Sequence, residues 1–236
     1  FFIGRTAQFF CGNTRMEKTF LSNFALAEKF PHLPAGMVPM CYPADHADGT
    51  FIPNWSMWMV LELADYFRRT GDRATVDLLR PRVEGLVDFF AKLENEEGLL
   101  ENLPSWVFVE WSAANGYTAG VNYPSNMCWA RALEEVADLY GRPELKAKAE
   151  RMRATIRRRS FDGTWFVDQA KRDKQGKLVE QKSARTETCQ YYAFYFGTAT
   201  KETHPDLWKK LVTEFGPDRM KKGLYPEIAK ANAFIG

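Results

Sequence analysis

Two tryptophans stand where a helix is predicted to begin, and their spacing suits ligand binding. Trp55 and Trp58 are three residues apart, in and just after the segment Pro53-Asn54-Trp55-Ser56, so both lean to one side of the helix. An indole face can stack on the axial C–H face of a pyranose, and the ring N–H adds a polar group. The alternative is a pair of core aromatics, which fits Trp58 better because Trp55 precedes the apolar stripe of the helix.

A second candidate for a functional site is a carboxylate that stands next to a tryptophan in the sequence, Glu110-Trp111. The segment from Trp106 to Trp111 is rich in aromatic and β-branched residues, which favours a short strand. In a strand Trp106, Phe108 and Glu110 share one face, so that face ends in a carboxylate. Between apolar residues, Glu110 could act as an acid or base, or could accept hydrogen bonds from sugar hydroxyls. A solvated side chain is the alternative.

Other polar motifs have plainer interpretations. Asp45-His46-Ala47-Asp48 lies in a loop rich in Pro and Gly and could contact a sugar, with a solvated loop as the alternative. Arg185-Thr186-Glu187-Thr188 is typical of a helix N-terminus with its acid in the first turn. The scattered His and Cys residues form no metal-binding pattern, and no nucleotide or serine-hydrolase signature is present. We therefore expect neither metal nor cofactor.

Composition narrows the possible partners. The chain has 236 residues and is 45% hydrophobic, which is enough for a sizeable core. Its 32 basic and 30 acidic residues are interspersed and give a net charge of +2, so neither nucleic acid nor an anionic membrane is an expected partner. No apolar run reaches the ~18–20 residues of a membrane span. Cys11, Cys128 and Cys189 lie in apolar helical context and are predicted to pack as small hydrophobic residues.

The secondary structure that positions these candidate site residues is predicted to consist of paired helices. Apolar periodicity and helix-ending residues place them at about 1–11, 14–30, 55–69, 72–90, 125–140, 143–159, 186–196 and 205–215, with a ninth at the end of the chain. Val60, Leu63, Ala64 and Phe67 form the buried stripe of the third helix. Pro81 lies inside the fourth, where we expect a kink or a break. Segments 97–111 and 161–181 are predicted to form small hairpins.

Repeated helix–turn–helix units with hairpins between them predict an all-α fold. We expect a closed (α/α) toroid of six helical hairpins with short β-hairpins in the inter-helix connections, of which this chain supplies an incomplete ring. In such a toroid, connections at one end form a bowl. Both ends of the sequence fall inside apolar patterns, so residues 1–236 are predicted to be part of one catalytic domain that is truncated at both ends.

These segments resemble the catalytic toroid of bacterial α-L-rhamnosidases of the glycoside hydrolase family 78 type. The resemblance rests on Pro53-Asn54-Trp55-Ser56, on the helix end Thr70-Gly71-Asp72, on the acid–tryptophan pair Glu110-Trp111, and on the segment from Tyr225-Pro226 to Gly236. It spans essentially the whole chain. Many members of that family have Asp where this chain has Glu110.

The resemblance implies inverting hydrolysis of terminal α-L-rhamnosides by two carboxyl groups ~6.5–9.5 Å apart. The family's signature with its general acid precedes a segment like Phe1–Phe10, and its general base is a late Glu, so both are expected outside this chain. Glu110 is the candidate within it. Trp55, Trp58, Glu110 and Trp111 are implied to be substrate-binding residues. No cofactor is implied, and the expected partners are a carbohydrate and flanking domains of the same polypeptide.

Two other functions remain open. One is a toroid glycosidase with a different sugar specificity, and the other is a non-catalytic, carbohydrate-binding helical scaffold. An acid-bearing signature just upstream of Phe1 would favour an enzyme, and its absence would favour the scaffold. Periplasmic, secreted and cytoplasmic locations are all compatible with the sequence.

Overall fold

The computed structural model describes residues 2–43 and 48–214 and divides the chain into two compact units. The first unit comprises 1–92, 104–106 and 132–147, and the second comprises 93–103, 107–131 and 148–236. Asp45, His46 and the predicted ninth helix lie outside the described residues. The assignment of 1–236 to one catalytic domain stays a prediction.

Four helices form most of the first unit, and they begin and end close to the predicted positions. They are α1 (Phe2–Cys11), α2 (Arg15–Leu26), α3 (Pro53–Thr70) and α4 (Arg73–Ala91). The second helix was predicted to reach residue 30, but Ala27 already has extended backbone. Arg82 explains this end, because its guanidinium donates to the carbonyl oxygens of Phe24, at 2.9 Å, and of Ala27. These carbonyls have no partner within the helix itself.

Local signals set the turn between α3 and α4. Gly71 adopts a left-handed conformation with φ 68° and donates its N–H to the Phe67 carbonyl oxygen, as a helix C-terminus requires. Asp72 caps α4 by accepting a hydrogen bond from the Thr75 N–H. A hydrogen bond from Lys18 lowers the pKa of Asp72 well below its usual range. A break at Pro81 is wrong, since α4 continues through it to Ala91, whereas a kink there stays a prediction.

The predicted stripe of α3 lies in the core of the first unit. Val60, Leu63 and Ala64 are fully buried, whereas Phe67 is half-buried. The facing stripe of α4 is buried as well and comprises Val76, Leu79, Val83, Leu86 and Phe90. Each such side chain contributes roughly 1.5–3 kcal/mol on burial, so this contact holds α3 firmly in place.

Helices also dominate the second unit. They are α5 (Tyr123–Tyr140) and α6 (Pro143–Ser160), which belong in part to the first unit, then α7 (Glu187–Tyr195) and α8 (Pro205–Lys209). A short 3-10 helix (Ala113–Tyr117) precedes α5, and a π-helical turn (Lys210–Glu214) follows α8. The eighth helix was predicted to reach residue 215, but its α-helical part ends at Lys209.

A small antiparallel sheet completes the second unit. Its strands are β1 (Val121–Asn122), β2 (Gln169–Arg172) and β3 (Leu178–Glu180), in the order β1-β2-β3. The hairpin predicted in 161–181 is therefore present, but its ladder turns at Asp173, whose carboxylate accepts from two backbone N–H groups. Within the same segment, a turn at Asp162-Gly163 closes a single bridge between Phe161 and Phe166.

The strand predicted in 97–111 is wrong. Apart from one isolated bridge at Leu100, no described residue of this segment is in a strand. Asn102 and Ser105 have positive φ of 53° and 64°, a conformation that interrupts extended pairing. The side chains from Val107 to Glu110 are all buried instead of alternating. The predicted face shared by Trp106, Phe108 and Glu110 therefore does not exist.

The cysteines divide between core and surface. Cys128 and Cys189 are buried as predicted, and burial raises the pKa of both thiols. Cys11 is exposed, which corrects the prediction. It ends α1, on which Phe9 and Phe10 are also exposed, so an apolar helix pattern alone did not imply burial. None of the described helices is long and apolar enough to cross a membrane.

Candidate functional site

A recess in the first unit brings the two predicted platform tryptophans together. Its volume is about 290 Å³. Helices α2 and α3 and the loop between them line this tryptophan recess with Phe20, Phe24, Val38, Pro39, Met40, Trp55, Trp58, Met59 and Glu62. The wall is mostly aromatic and aliphatic, as in typical small-molecule sites.

The start of α3 determines how the tryptophans are presented. Pro53 occupies the first helical position, where a missing N–H costs nothing and the fixed φ favours the helix. Trp58, Met59 and Glu62 follow Trp55 at positions i+3, i+4 and i+7, so all four side chains lie on one face. Trp55 is 42% exposed and Trp58 is half-buried. The face of α3 that lines the recess therefore combines two indoles with one carboxyl.

Aromatic residues of α2 form the opposite wall. The rings of Phe20 and Phe24 meet edge to face, with centroids 5.3 Å apart and planes at 82°. Phe24 also contacts the ring of Tyr42 from the connecting loop, at 5.7 Å. Edge-to-face packing fixes ring orientation, so this side of the recess is preformed.

A contact between two glycines anchors the loop that supplies the third wall. Gly36 has a φ of +89°, and a Cβ atom added at Gly85 of α4 would lie 3.1 Å from the Gly36 Cα. Only glycine at both positions allows this approach without strain. Val38, Pro39 and Met40 follow shortly after Gly36 in the chain and line the recess.

Glu62 is the acidic member of the tryptophan recess, and sequence reasoning missed it. Its side chain is buried, and burial raises its pKa. Asp65, one turn further along α3, is different. Despite burial, hydrogen bonds from Arg5 and Arg69 lower the pKa of Asp65. A charged residue seven positions after Trp55 was the signal that could have identified Glu62.

A narrower recess adjoins the first and shares two residues with it. Its volume is about 220 Å³, and it is lined by Ile3, Gly4, Met16, Glu17, Phe20 and Glu62. A Cβ at Gly4 would lie 2.7 Å from the Glu17 carboxyl group, so α1 and α2 approach closely there. Glu62 thus borders both recesses.

The second unit holds the other predicted pair, Glu110 and Trp111, in a different environment. Glu110 is buried and accepts a 2.7 Å hydrogen bond from the Thr188 hydroxyl group. The Tyr192 hydroxyl donates to the Val109 carbonyl oxygen at 3.0 Å. Trp111 is 69% exposed and meets the ring of Phe108 edge to face, with centroids 4.9 Å apart. The carboxyl group thus faces the interior while the indole faces solvent.

A second buried carboxyl, Asp168, stabilises the start of α7. It accepts hydrogen bonds from the Thr186 N–H at 2.8 Å and the Thr186 hydroxyl at 2.7 Å. Thr186 in turn accepts from the Cys189 N–H at 3.1 Å and so caps α7, as predicted. Burial raises the pKa of Asp168 to about 7, against the opposing effect of these hydrogen bonds. Asp168 was not among the predicted residues, and its contacts indicate a structural role.

The predicted substrate-binding residues thus fall into two groups. Trp55 and Trp58 share a recess of the first unit, and Glu110 and Trp111 are neighbours in the second. Within the described part of the chain, no group of three or more His, Cys, Asp or Glu residues could hold a metal ion.

Comparisons with known proteins found similarity only at the level of structure. No protein-family model and no curated protein matches the chain. One similar solved structure is a glycoside hydrolase family 78 rhamnosidase of Bacillus sp. GL1, with a TM-score of 0.63 and 20% identity over 80% of this chain. Another is a rhamnosidase from Klebsiella oxytoca with rhamnose bound, with a TM-score of 0.58 and 18% identity over 77% of this chain.

The matched structures are much longer than this chain. The chain spans 19% of the Bacillus rhamnosidase and 34% of the Klebsiella rhamnosidase. At this identity the comparison establishes a mostly helical fold that this chain shares with the two rhamnosidase structures.

Proposed function

We propose that this chain is part of an inverting glycoside hydrolase that removes terminal α-L-rhamnose from glycosides or polysaccharides. The fold shared with two rhamnosidase structures is the premise. In this proposal the helices belong to an incomplete six-hairpin (α/α) toroid, and the chain is one segment of a longer polypeptide. Its partners are the carbohydrate and the flanking parts of that polypeptide.

The observation that carries the proposal is the tryptophan recess. Its wall offers the exposed indole of Trp55, the rings of Phe20 and Phe24, and the Glu62 carboxyl. A pyranose has one largely apolar C–H face and a rim of hydroxyl groups. Aromatic faces bind the first, and a carboxyl group binds the second. The recess therefore matches the two chemical sides of a sugar ring.

The chemistry itself requires two carboxyl groups. In an inverting enzyme one carboxylic acid protonates the leaving oxygen, and a carboxylate on the other ring face activates water, at ~6.5–9.5 Å from the first. We assign both groups to other parts of the polypeptide. Trp55 and Trp58 bind the sugar, and Glu110 and Trp111 form a second contact with the substrate. The hydrogen bond from Thr188 supports a fixed position for the Glu110 carboxyl.

Activity of the full-length polypeptide on a panel of aryl glycosides tests the proposal. We expect the α-L-rhamnoside to be hydrolysed fastest, with release of the inverted anomer detectable by NMR. Preferential hydrolysis of another glycoside would favour a toroid glycosidase of different specificity. Binding without hydrolysis of any panel member would favour a non-catalytic scaffold.

The isolated 236-residue chain provides a second test. We expect it to bind a sugar without turnover, because the acid and base are assigned to other segments. Measurable turnover by the isolated chain would contradict this assignment, and Glu110→Gln would then show whether Glu110 is the acid or base.

A further inference from the structure

We propose that a further recess of the first unit binds a carboxylate-bearing sugar, of the uronate type, through Arg82 and Lys29. This basic recess has a volume of about 360 Å³ and lies between α4 and the segment that follows α2. The residues of its lining that carry the argument are Lys29, Phe30, Pro31, Pro34, Pro81 and Arg82. The inference rests on the proposed function in one respect, namely that the ligand is a carbohydrate.

Contacts with the end of α2 hold the Arg82 guanidinium in place. Its Nε atom donates to the Phe24 carbonyl oxygen at 2.9 Å, and its Nη2 atom donates to the carbonyl oxygens of Ala27 and Glu28. The Phe30 ring lies against the guanidinium, with the Cζ atom 4.9 Å from the ring centroid. An arginine that is fixed before a ligand arrives loses little conformational entropy when it binds an anion.

The third nitrogen of the guanidinium, Nη1, remains available to a ligand. Arginine has five N–H donors, and two of them are on Nη1. The printed sequence ranges 2–43 and 48–214 contain no acceptor for these two donors, since the hydrogen bonds of Arg82 use only Nε and Nη2. Nη1 is not one of the buried unpaired atoms either, so solvent reaches it. A carboxylate oxygen is the acceptor that a guanidinium binds most strongly.

Lys29 adds a second positive charge to the basic recess. It is exposed, and no described residue forms an ion pair with it. Of the described residues that line the recess, none is acidic. Arg5 and Arg69 of the same unit differ, because both pair with Asp65. Two cations that share a recess without a counter-charge attract an anion.

The apolar part of the wall favours a sugar acid over a small inorganic ion. Phe30, Pro31, Pro34 and Pro81 offer rings whose surfaces are largely apolar. A uronate has both a carboxylate and a C–H face that can pack on such rings, whereas phosphate has no C–H face. The volume of about 360 Å³ lies within the range of small-molecule sites, roughly 300–1,000 Å³. The recess therefore has room for a sugar ring next to the cations.

The basic recess and the tryptophan recess share one loop. Met37 lines the basic recess, and the next residue, Val38, lines the tryptophan recess. Phe24 also connects them, because its ring lines the tryptophan recess while its carbonyl oxygen holds Arg82. We therefore assign the acidic sugar to the same carbohydrate that the tryptophan recess binds.

A matched pair of ligands tests the inference on the full-length protein. Methyl β-D-glucuronide and methyl β-D-glucoside differ only in a carboxylate that replaces a hydroxymethyl group. Isothermal titration calorimetry measures both affinities, with sodium acetate and inorganic phosphate as anions that have no sugar ring. We expect the wild type to bind the glucuronide roughly tenfold to a hundredfold more tightly than the glucoside, the range for a hydrogen bond to a charged group. This preference should shrink when the ionic strength rises from about 0.01 M to about 1 M.

Substitutions of the two cations locate the binding. Arg82→Gln should remove most of the preference for the glucuronide. Lys29→Met should weaken glucuronide binding roughly two- to fivefold, the range for an exposed ion pair, and should leave glucoside binding unchanged. Lys29 is exposed, so this variant stays informative if Arg82→Gln lowers stability through the lost contacts with α2. Lys92→Met is the matched control, because Lys92 is also exposed but does not line the recess.

Three results would overturn the inference. The first is equal affinity of the wild type for the glucuronide and the glucoside. The second is an unchanged glucuronide affinity in both Lys29→Met and Arg82→Gln, because the acid would then bind elsewhere. The third is binding of acetate or phosphate as tight as that of the glucuronide, because the sugar ring would then contribute nothing.

The outcomes also separate this inference from the proposed function. Rhamnoside hydrolysis by a wild type that does not prefer the glucuronide would overturn the inference and leave the function standing. Glucuronide binding that depends on Lys29 and Arg82, without rhamnoside hydrolysis, would support the inference and contradict the function.

Discussion

Each unit places a tryptophan near a buried carboxyl group, but the two surroundings differ. In the first unit, Trp55 and Glu62 line one recess, and the carboxyl borders the space that a ligand would fill. In the second unit, the Glu110 carboxyl accepts a hydrogen bond from Thr188, while its neighbour Trp111 faces solvent. Asp168 of the same unit accepts two hydrogen bonds from Thr186. The same residue types thus line an open recess in one unit, whereas in the other unit the carboxyl groups accept hydrogen bonds from neighbouring side chains.

The largest effect we expect concerns the pH dependence of stability caused by Asp168. Its pKa in the folded protein is raised to about 7, above the value of about 3.9 in an unfolded chain. The folded state therefore holds the proton more tightly. The resulting stability is fully present below about pH 4 and is lost as the pH rises to about 7, by up to about 1.4 kcal/mol per pH unit.

Asp168→Asn isolates this effect. We expect the difference in unfolding free energy between wild type and variant to fall between pH 4 and pH 7 and to be flat above it. Chemical denaturation at a series of pH values measures this difference. If this difference in unfolding free energy did not change between pH 4 and pH 7, the pKa of Asp168 would not be raised by burial in the folded protein.

Trp55→Ala should have the next largest effect, and it acts on activity. Loss of the stacking surface should lower kcat/KM for an aryl rhamnoside about 50-fold, equivalent to about 2–3 kcal/mol of lost burial and aromatic contact. Trp208→Ala is the matched control, because Trp208 is 40% exposed and lies outside the recess. If kcat/KM were the same for the wild type and Trp55→Ala, the proposal that Trp55 binds the sugar would be wrong.

A smaller effect is expected for Thr188→Val. The valine has nearly the same shape but cannot donate to Glu110, so we expect the unfolding free energy to fall by about 1–2 kcal/mol. Thr188→Ser keeps the hydroxyl and should recover most of this loss. Denaturant titration compares the three proteins. If Val and Ser variants were equally stable, the hydrogen bond would not support the second unit.

The smallest effect is expected for Trp111→Ala. Because this side chain is mostly exposed, the unfolding free energy should change by less than about 0.5 kcal/mol. Its proposed contact with the substrate should appear as a several-fold loss in kcat/KM. A loss of stability without a loss of activity would reverse this assignment and make Trp111 a structural residue.

Local signals explain which parts of the fold were predictable. The turn from Gly71 to Asp72 and the stripe of α3 depend on residues within a few positions of each other. The turn lies where it was predicted, and the stripe is buried except for Phe67, which is half-buried. The segment from Trp106 to Glu110 has the composition of a strand. Its conformation, however, depends on distant partners such as Phe51, which accepts the Trp106 N–H. The amino-acid composition of the segment therefore does not predict whether it forms a strand.

The site was predictable to a similar extent. The position of Trp55 before an apolar stripe indicated an accessible side chain, and 42% of it is exposed. Glu62 lies on the same helical face, but a single charge within a helix is usually solvated, so its burial required knowledge of α2 and of the loop wall. Asp168 contacts Thr186, which is 18 residues away, and no local pattern indicates that pair.

The glycine contact at the base of the loop has a consequence for engineering. Gly85 does not line the tryptophan recess, yet its contact with Gly36 determines how closely the wall of Val38 and Met40 can approach. A methyl group at position 85 would displace that wall without changing any residue that lines the tryptophan recess. We therefore expect a screen of random variants for altered sugar preference to select small side chains, such as Ala, at position 85. These substitutions lie outside the tryptophan recess but would widen the range of sugars that it accepts.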